Sequence, residues 1–202
     1  MKKTMILIGC VFVMLTGSAF LPAQETQATT ADEEMKAMME MWAAYATPGE
    51  PHQRLAERVG TWNVTVRFWT SPDAPPQVSK GVSRIESIMD GRYILDHFES
   101  DFNGQPFKGM GISGYDNFKK KFFAVWLDSM STGIMRAESQ GDTAGDTIVY
   151  LAETPDPATG TYKMTRSVET KVDADTFRME AYDKTPDGKE FRNMEMIYQR
   201  RN

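Results

Sequence analysis

Six residues, Gly109-Met110-Gly111-Ile112-Ser113-Gly114, spell G-x-G-x-x-G, the spacing that cradles a dinucleotide pyrophosphate. That chemistry needs a buried strand before the first glycine and a helix opening at the last, so that backbone N–H groups and the helix dipole face the phosphates. Here Asn103-Gly104 and Pro106 precede the motif, and "YDNFKKKFFAVWLD" follows it, a turn and then an alternating aromatic run. No helix is aimed at a phosphate. Gly109 and Gly111 share one face of a strand, where glycine marks a bend or the close approach of another backbone.

The remaining candidates for chemistry are few. His52 and His97 are the chain's two histidines, so a His-rich metal centre is excluded and a Ser-His-Asp triad would have to draw on one of them. G-x-S-x-G, H-E-x-x-H and paired C-x-x-C motifs are absent from the sequence. On "RYILDHFE", Tyr93, Leu95, His97 and Glu99 alternate with Ile94, Asp96 and Phe98, and both faces mix polar with apolar groups. A Tyr-His-Glu face would supply the convergent polar groups of a binding pocket, so the His97 face is expected to be lumenal. Arg92, Tyr93 and His97 are then the expected ligand contacts, with Trp126 as apolar wall. A lumenal histidine could also ligate haem iron or a metal, although the sequence calls for no cofactor and no metal. Arg92 could pair with Asp128 or Glu195, as a structural network or as a ligand clamp.

Met35, Met38, Met39 and Met41 would suit Cu(I). Yet Met35, Met38 and Met39 fall with Trp42 and Ala46 at helical spacing, which makes them one apolar stripe that could meet a partner protein. Thr30 and Glu33 form a capping box for this Met-rich amphipathic helix, which with its linker spans 32–50 and ends at "TPGEP". A short second helix, "HQRLAERV", follows.

From Trp62 the period changes. "TWNVTVRFW" alternates strictly, and turn signals then recur to the end of the chain: 71–76, 89–92, 102–105, 115–119, 128–133, 141–146, 156–160, 172–175 and 185–189. Asn103-Gly104 and Asp187-Gly188 are strong hairpin pairs, and Asp116 and Asn117 are good turn formers. The pattern predicts a mainly β protein, a single antiparallel up-and-down β-barrel of about ten strands over 51–202, preceded by two N-terminal helices. Closure removes the exposed edges of such a meander.

The start of the chain reads as a secretory signal over 1–23. Lys2 and Lys3 precede an apolar run from Met5 to Leu15, too short to span a bilayer, and small residues lead to Ala23. The polar stretch 24–31 reads as a flexible leader. A periplasmic or secreted location is expected, with lipid anchoring through Cys10 as the minor alternative. Cys10 is the only cysteine, so a chain cut at Ala23 has no disulfide and must be held by its core. The net charge is −5, and losing Lys2 and Lys3 makes it more acidic still. Nucleic acid is thereby an unlikely partner, and no transmembrane segment follows the signal.

Gly60-Thr61-Trp62 resembles the G-x-W signature of lipocalins and the wider calycins. There the tryptophan closes one barrel end and a basic residue of the last strand packs over it, a role that falls to Arg200. "HQRLAERVGTWNV", "DGRYILDHF", "GQPFKGMGISGYDNFKKKF", "VWLDSMSTG", "DPATGTYKM" and "DGKEFRNMEMIYQR", in that order, resemble a family of exported bacterial proteins known only as a domain of unknown function, number 1579. The resemblance covers about residues 51–200 and implies a calycin-like barrel with no established activity. The residues that match the family's recurrent positions are Gly60, Trp62, Gly91, Arg92, Gly114, Tyr115, Asp116, Asn117, Trp126, Asp128, Ser129 and Glu195. A lumen that binds a small apolar or amphipathic molecule is the function expected by analogy, with an enzyme or a partner-binding module as the alternatives.

If Gly109 and Gly111 belong to a strand, titration with NAD or ATP will show no binding by calorimetry. Micromolar affinity for either nucleotide would restore the dinucleotide reading.

Overall fold

A computed structural model describes residues 23–102, 104–141, 145–157 and 159–201, with the backbone alone at 23–29. The alternating part of the chain becomes ten antiparallel strands among the described residues: β1 (Gly60–Phe68), β2 (Gln77–Ile88), β3 (Tyr93–Phe102), β4 (Gln105–Asp116), β5 (Lys121–Asp128), β6 (Met135–Ser139), β7 (Thr147–Asp156), β8 (Thr161–Lys171), β9 (Thr176–Lys184) and β10 (Glu190–Arg200). Each strand pairs with its sequence neighbour, and β1 pairs with β10 to close the barrel. The connections fall where Gly, Pro, Asn and Asp cluster.

Register decides what faces inward. On β1 the interior set is Trp62, Val64, Val66 and Phe68, opposite Arg200, Tyr198, Met196 and Met194 of β10. The set continues through Ser83 and Ile85, then Ile94, Asp96 and Phe98, then Gly109 and Gly111. Trp126, Ala124 and Phe122 carry it across β5. Opposite parity lies outside, where Arg67 meets Glu195 at 2.6 Å and Arg192 bridges Glu180 (2.7 Å) and Glu195 (3.0 Å). These outer ion pairs account for Glu195, and Arg92 takes no part in them.

Helix α1 runs Ala23–Ala46 and α2 runs Glu50–Ala56. α1 starts ahead of the Thr30 capping box, so 24–31 is helical rather than a flexible leader. The segment has no Gly or Pro to stop a helix. The expected signal lies, apart from Ala23, outside the described residues. No helix among the described residues is long and apolar enough to cross a membrane. Contacts divide the chain into two units, Met1–Ala44 and Tyr45–Asn202. In the first, Met35, Met39, Met41 and Trp42 are more than half exposed.

One end of the barrel is packed with aromatic side chains. Trp62 is 2% exposed and its Nε1–H donates to the Arg58 carbonyl at 2.8 Å. Arg200 lies 4.1 Å above the indole and donates through Nη1 to Val59 O and through Nη2 to Glu57 O, both at 2.8 Å. One guanidinium thus covers the ring and ties the α2–β1 connection to the last strand, the role expected of it. Gly60 must be glycine twice over: its φ is +140°, and a Cβ there would sit 2.6 Å from Arg200 Nη1. Phe177 meets Trp62 edge-on at 4.9 Å and stacks on Tyr198 at 4.0 Å. Leu55 of α2 and Phe122 complete the plug.

Trp62→Ala removes the largest side chain of this plug and should destabilise the protein by about 3–5 kcal/mol. Urea denaturation will read the change. An unchanged midpoint would mean that the indole does not hold the closed end.

Candidate functional site

Above the plug, the interior turns polar. Ser83 Oγ donates to Asp96 Oδ1 at 2.5 Å, and both residues are buried. Arg58, just after α2, reaches inward to lie 4.7 Å over the Phe177 ring, and its Nη1 donates to Glu169 Oε2 at 2.9 Å. Burial works against the Arg58 charge, but Glu169 with Tyr150, Tyr198 and Asp96 outweighs it, so the guanidinium is held above its ordinary value. Burial pushes the Asp96 carboxyl up, with the Ser83 hydrogen bond opposing in part. Burial likewise raises both the Tyr150 and Tyr198 phenols, which keep their protons. Five polar side chains from α2's end, β3, β7, β8 and β10 therefore stand in one electrostatic neighbourhood.

Toward the other end the wall divides by chemistry. Trp126 lies flat over Gly109 and Gly111, with Phe98 at 6.4 Å from its ring and Phe107 at 5.9 Å from Phe98. A Cβ at Gly109 would come within 2.2 Å of the Trp126 ring, so the glycine makes room for an indole rather than for a phosphate or another backbone. Asp128 Oδ2 accepts the Trp126 Nε1–H at 3.0 Å and fixes the ring. β8 carries the polar side. Lys163 bridges Asp183 at 2.6 Å, and Thr165 shares a 2.8 Å hydrogen bond with Thr154. Ser167 and Glu169 continue this polar row inward, facing Tyr150 and Ile148.

The two levels differ in exposure. Trp62, Val64, Ile94, Phe122, Ile148 and Phe177 are all at 4% or less. Val66, Phe107, Trp126, Met135, Met179 and Met194 also point inward yet keep partial solvent access, as do the small residues Gly81, Gly111, Ser167 and Ala181. Side chains that fill a barrel would bury these. Inward-facing residues away from α2 thus keep partial solvent access, and a cavity of about 340 Å³ at the α2 end is lined by Arg58, Trp62, Ile148, Glu169 and Phe177.

Three expected ligand contacts fall elsewhere. His97 points outward, is exposed, and lies 3.7 Å from Glu86. Tyr93 also faces out and packs on Phe123 at 6.1 Å across Gly114. The parity of β3 is set by Phe98 and Ile94, each 3% exposed, whose apolar surface belongs inside. Arg92 sits on the β2–β3 turn and donates to the Met89 and Ala46 carbonyls, both at 3.1 Å. It therefore pairs with neither Asp128 nor Glu195. Of the expected set, Trp126 alone lines the interior. Asp116 accepts the N–H groups of Phe118 (2.7 Å) and Lys119 (3.0 Å), as its turn role requires. Asn117 does more than turn the chain: its Nδ2 donates to Tyr45 O at 3.0 Å and Thr47 O at 2.9 Å, holding the carbonyls at and just beyond the end of α1. Arg58, Asp96, Tyr150, Glu169 and Tyr198 escaped the sequence reading. Asp96 alone carried a signal there, as the acid between two large apolar residues of one face.

A carboxyl raised on folding weakens the fold as pH rises from the ordinary value of 3.8 toward the raised one, because the folded state then holds more protons. Asp96→Asn, which can still accept from Ser83, should therefore raise the melting temperature at pH near 7. The gain should shrink as pH falls toward about 3, where both states are protonated. A gain equal at both pH values, or a loss at neutral pH, would contradict the buried-acid assignment.

Comparison with solved structures finds several β-barrels, the first of which shares the fold. The Rv2717c protein of M. tuberculosis is 13% identical with a TM-score of 0.54, over 77% of this chain and 100% of that one. A de novo designed fluorescence-activating β-barrel is 14% identical with a TM-score of 0.42, over 73% of this chain and 96% of that one. A redesigned β-barrel is 15% identical with a TM-score of 0.40, over 73% and 95%. At these identities the likeness concerns the fold alone. Among curated proteins no match is found. Residues 47–200, which include the whole barrel, the plug and the polar floor, match the family described as protein of unknown function (DUF1579), and the chain belongs to that family.

Proposed function

We propose that this protein binds a small amphipathic molecule inside its barrel, entering from the end opposite α2. The observation that carries the reading is the partial solvent access of inward-facing Trp126, Phe107, Met179 and Met194 above a buried floor. An aromatic and thioether wall supplies apolar contact, and thioether side chains adapt to irregular shapes. Asp96, Tyr150, Tyr198 and the Arg58–Glu169 pair supply the few polar groups that orient a ligand. Such groups are costly to bury, and proteins keep them where a site needs them. The signal-like start at Lys2, Lys3 and Met5–Leu15 supports export, so the ligand would be met in the periplasm or outside the cell.

The neutral fluorophore N-phenyl-1-naphthylamine tests the reading. Its emission should rise and shift to the blue on titration with the protein, with a dissociation constant of about 1–10 μM. Trp126→Ala should weaken binding about tenfold, while Trp69→Phe, under the outer Arg192 at 4.8 Å, leaves it unchanged. Absence of any emission change with the wild type would remove the lumenal reading.

A further inference from the structure

Resting on that reading, we infer that the lumen selects an amphiphile led by an uncharged hydrogen-bond acceptor, the carbonyl of a ketone, ester or amide, which docks on Arg58 and Tyr198 at the polar floor. The floor has more donors than good acceptors. Arg58 Nε–H is buried and has no acceptor among the described residues, although Nη1 is satisfied by Glu169. The Tyr198 hydroxyl, in a buried residue, donates only to the thioether of Met196 at 3.7 Å. Sulfur is a weak acceptor, so an oxygen brought to this point replaces a poor bond with a good one. Tyr150 adds a second phenol that retains its proton at any physiological pH. A buried donor left without an acceptor is costly, and a ligand oxygen that meets it recovers that cost on binding.

The charge of the leading group follows from what surrounds it. Arg58 is held charged and would repel an ammonium group, whereas Glu169 would oppose a carboxylate. Arg58 and Glu169 neutralise each other, and Asp96 is shifted toward its neutral acid by burial. A head group that brings no charge meets the donors without either penalty. The tail then lies against Phe98, Phe107 and Trp126, across from the hydroxyls of Thr154 and Thr165.

The test is displacement of N-phenyl-1-naphthylamine by four chain-matched competitors: methyl nonyl ketone, undecanoate, undecylammonium and undecane. The ketone should compete about tenfold more strongly than each of the other three. Tyr198→Phe removes the hydroxyl at constant shape, and Arg58→Lys keeps the charge beside Glu169 while deleting the Nε–H. Each should remove most of the ketone's advantage and leave undecane unchanged. Trp126→Ala should weaken all four alike. Equal or tighter binding of undecanoate or undecylammonium would overturn the inference. So would a ketone no better than undecane, or a ketone unaffected by both floor variants. Should the fluorophore itself fail to bind the wild type, the lumenal reading falls, and this inference with it.

Discussion

The interior of a barrel widens with its strand number, and at about eight strands side chains can just fill it. Ten strands leave more room than that, and the chain packs a cluster of aromatic side chains into the end nearest α2. Trp62 is the side chain on which that packing depends. Its indole N–H fixes the α2–β1 connection through Arg58 O, its upper face carries Arg200, and Phe177 meets it from the side. The contacts tie the first strand, the last strand and the short helix into one seal. With no cysteine among residues 24–202, this packing has no covalent substitute.

Because the seal is compact, the space above it is left to residues that need not fill volume. That is why glycine occurs at 109 and 111, where Trp126 lies against the strand instead of standing across the barrel. It is also why Asp96, Glu169 and Arg58 can sit inside. Their burial lowers stability unless each finds a partner, and Ser83 and the Arg58–Glu169 pair answer part of that demand. The apolar floor beneath them, Trp62, Phe122, Ile148 and Phe177, offsets the rest.

Much of this was legible in the sequence. Turns announce themselves through local chemistry, so Asn103-Gly104, Asp187-Gly188 and the other punctuation gave the strand number. The pairing of Trp62 with Arg200 was readable because G-x-W marks the first strand and a basic residue ends the last. The face of β3 was not readable. Tyr93, His97 and Glu99 compete locally with Ile94, Asp96 and Phe98, and what decides between them is distant: Phe98 lies opposite Gly109, where the Trp126 ring needs an inward neighbour. One residue of register reverses the whole strand. Arg58 was hidden for a different reason, since nothing in "LAERVGTW" says that its side chain turns inward over the Phe177 ring. Likewise the helix ahead of Thr30 carries no strong local signal, since three of the eight residues 24–31 are Thr, and the cap signal at Thr30 pointed to a later start.

The proposed account rests on an interior accessible above a packed floor, and oxidative footprinting of the methionines reads that state directly. Met135, Met179 and Met194 face the accessible level, whereas Met196, at 6% exposure, faces the floor. Brief exposure to hydroxyl radicals followed by peptide mass spectrometry should oxidise the first three well ahead of Met196. Equal protection of all four would mean that side chains fill the barrel from end to end, and the account would be wrong.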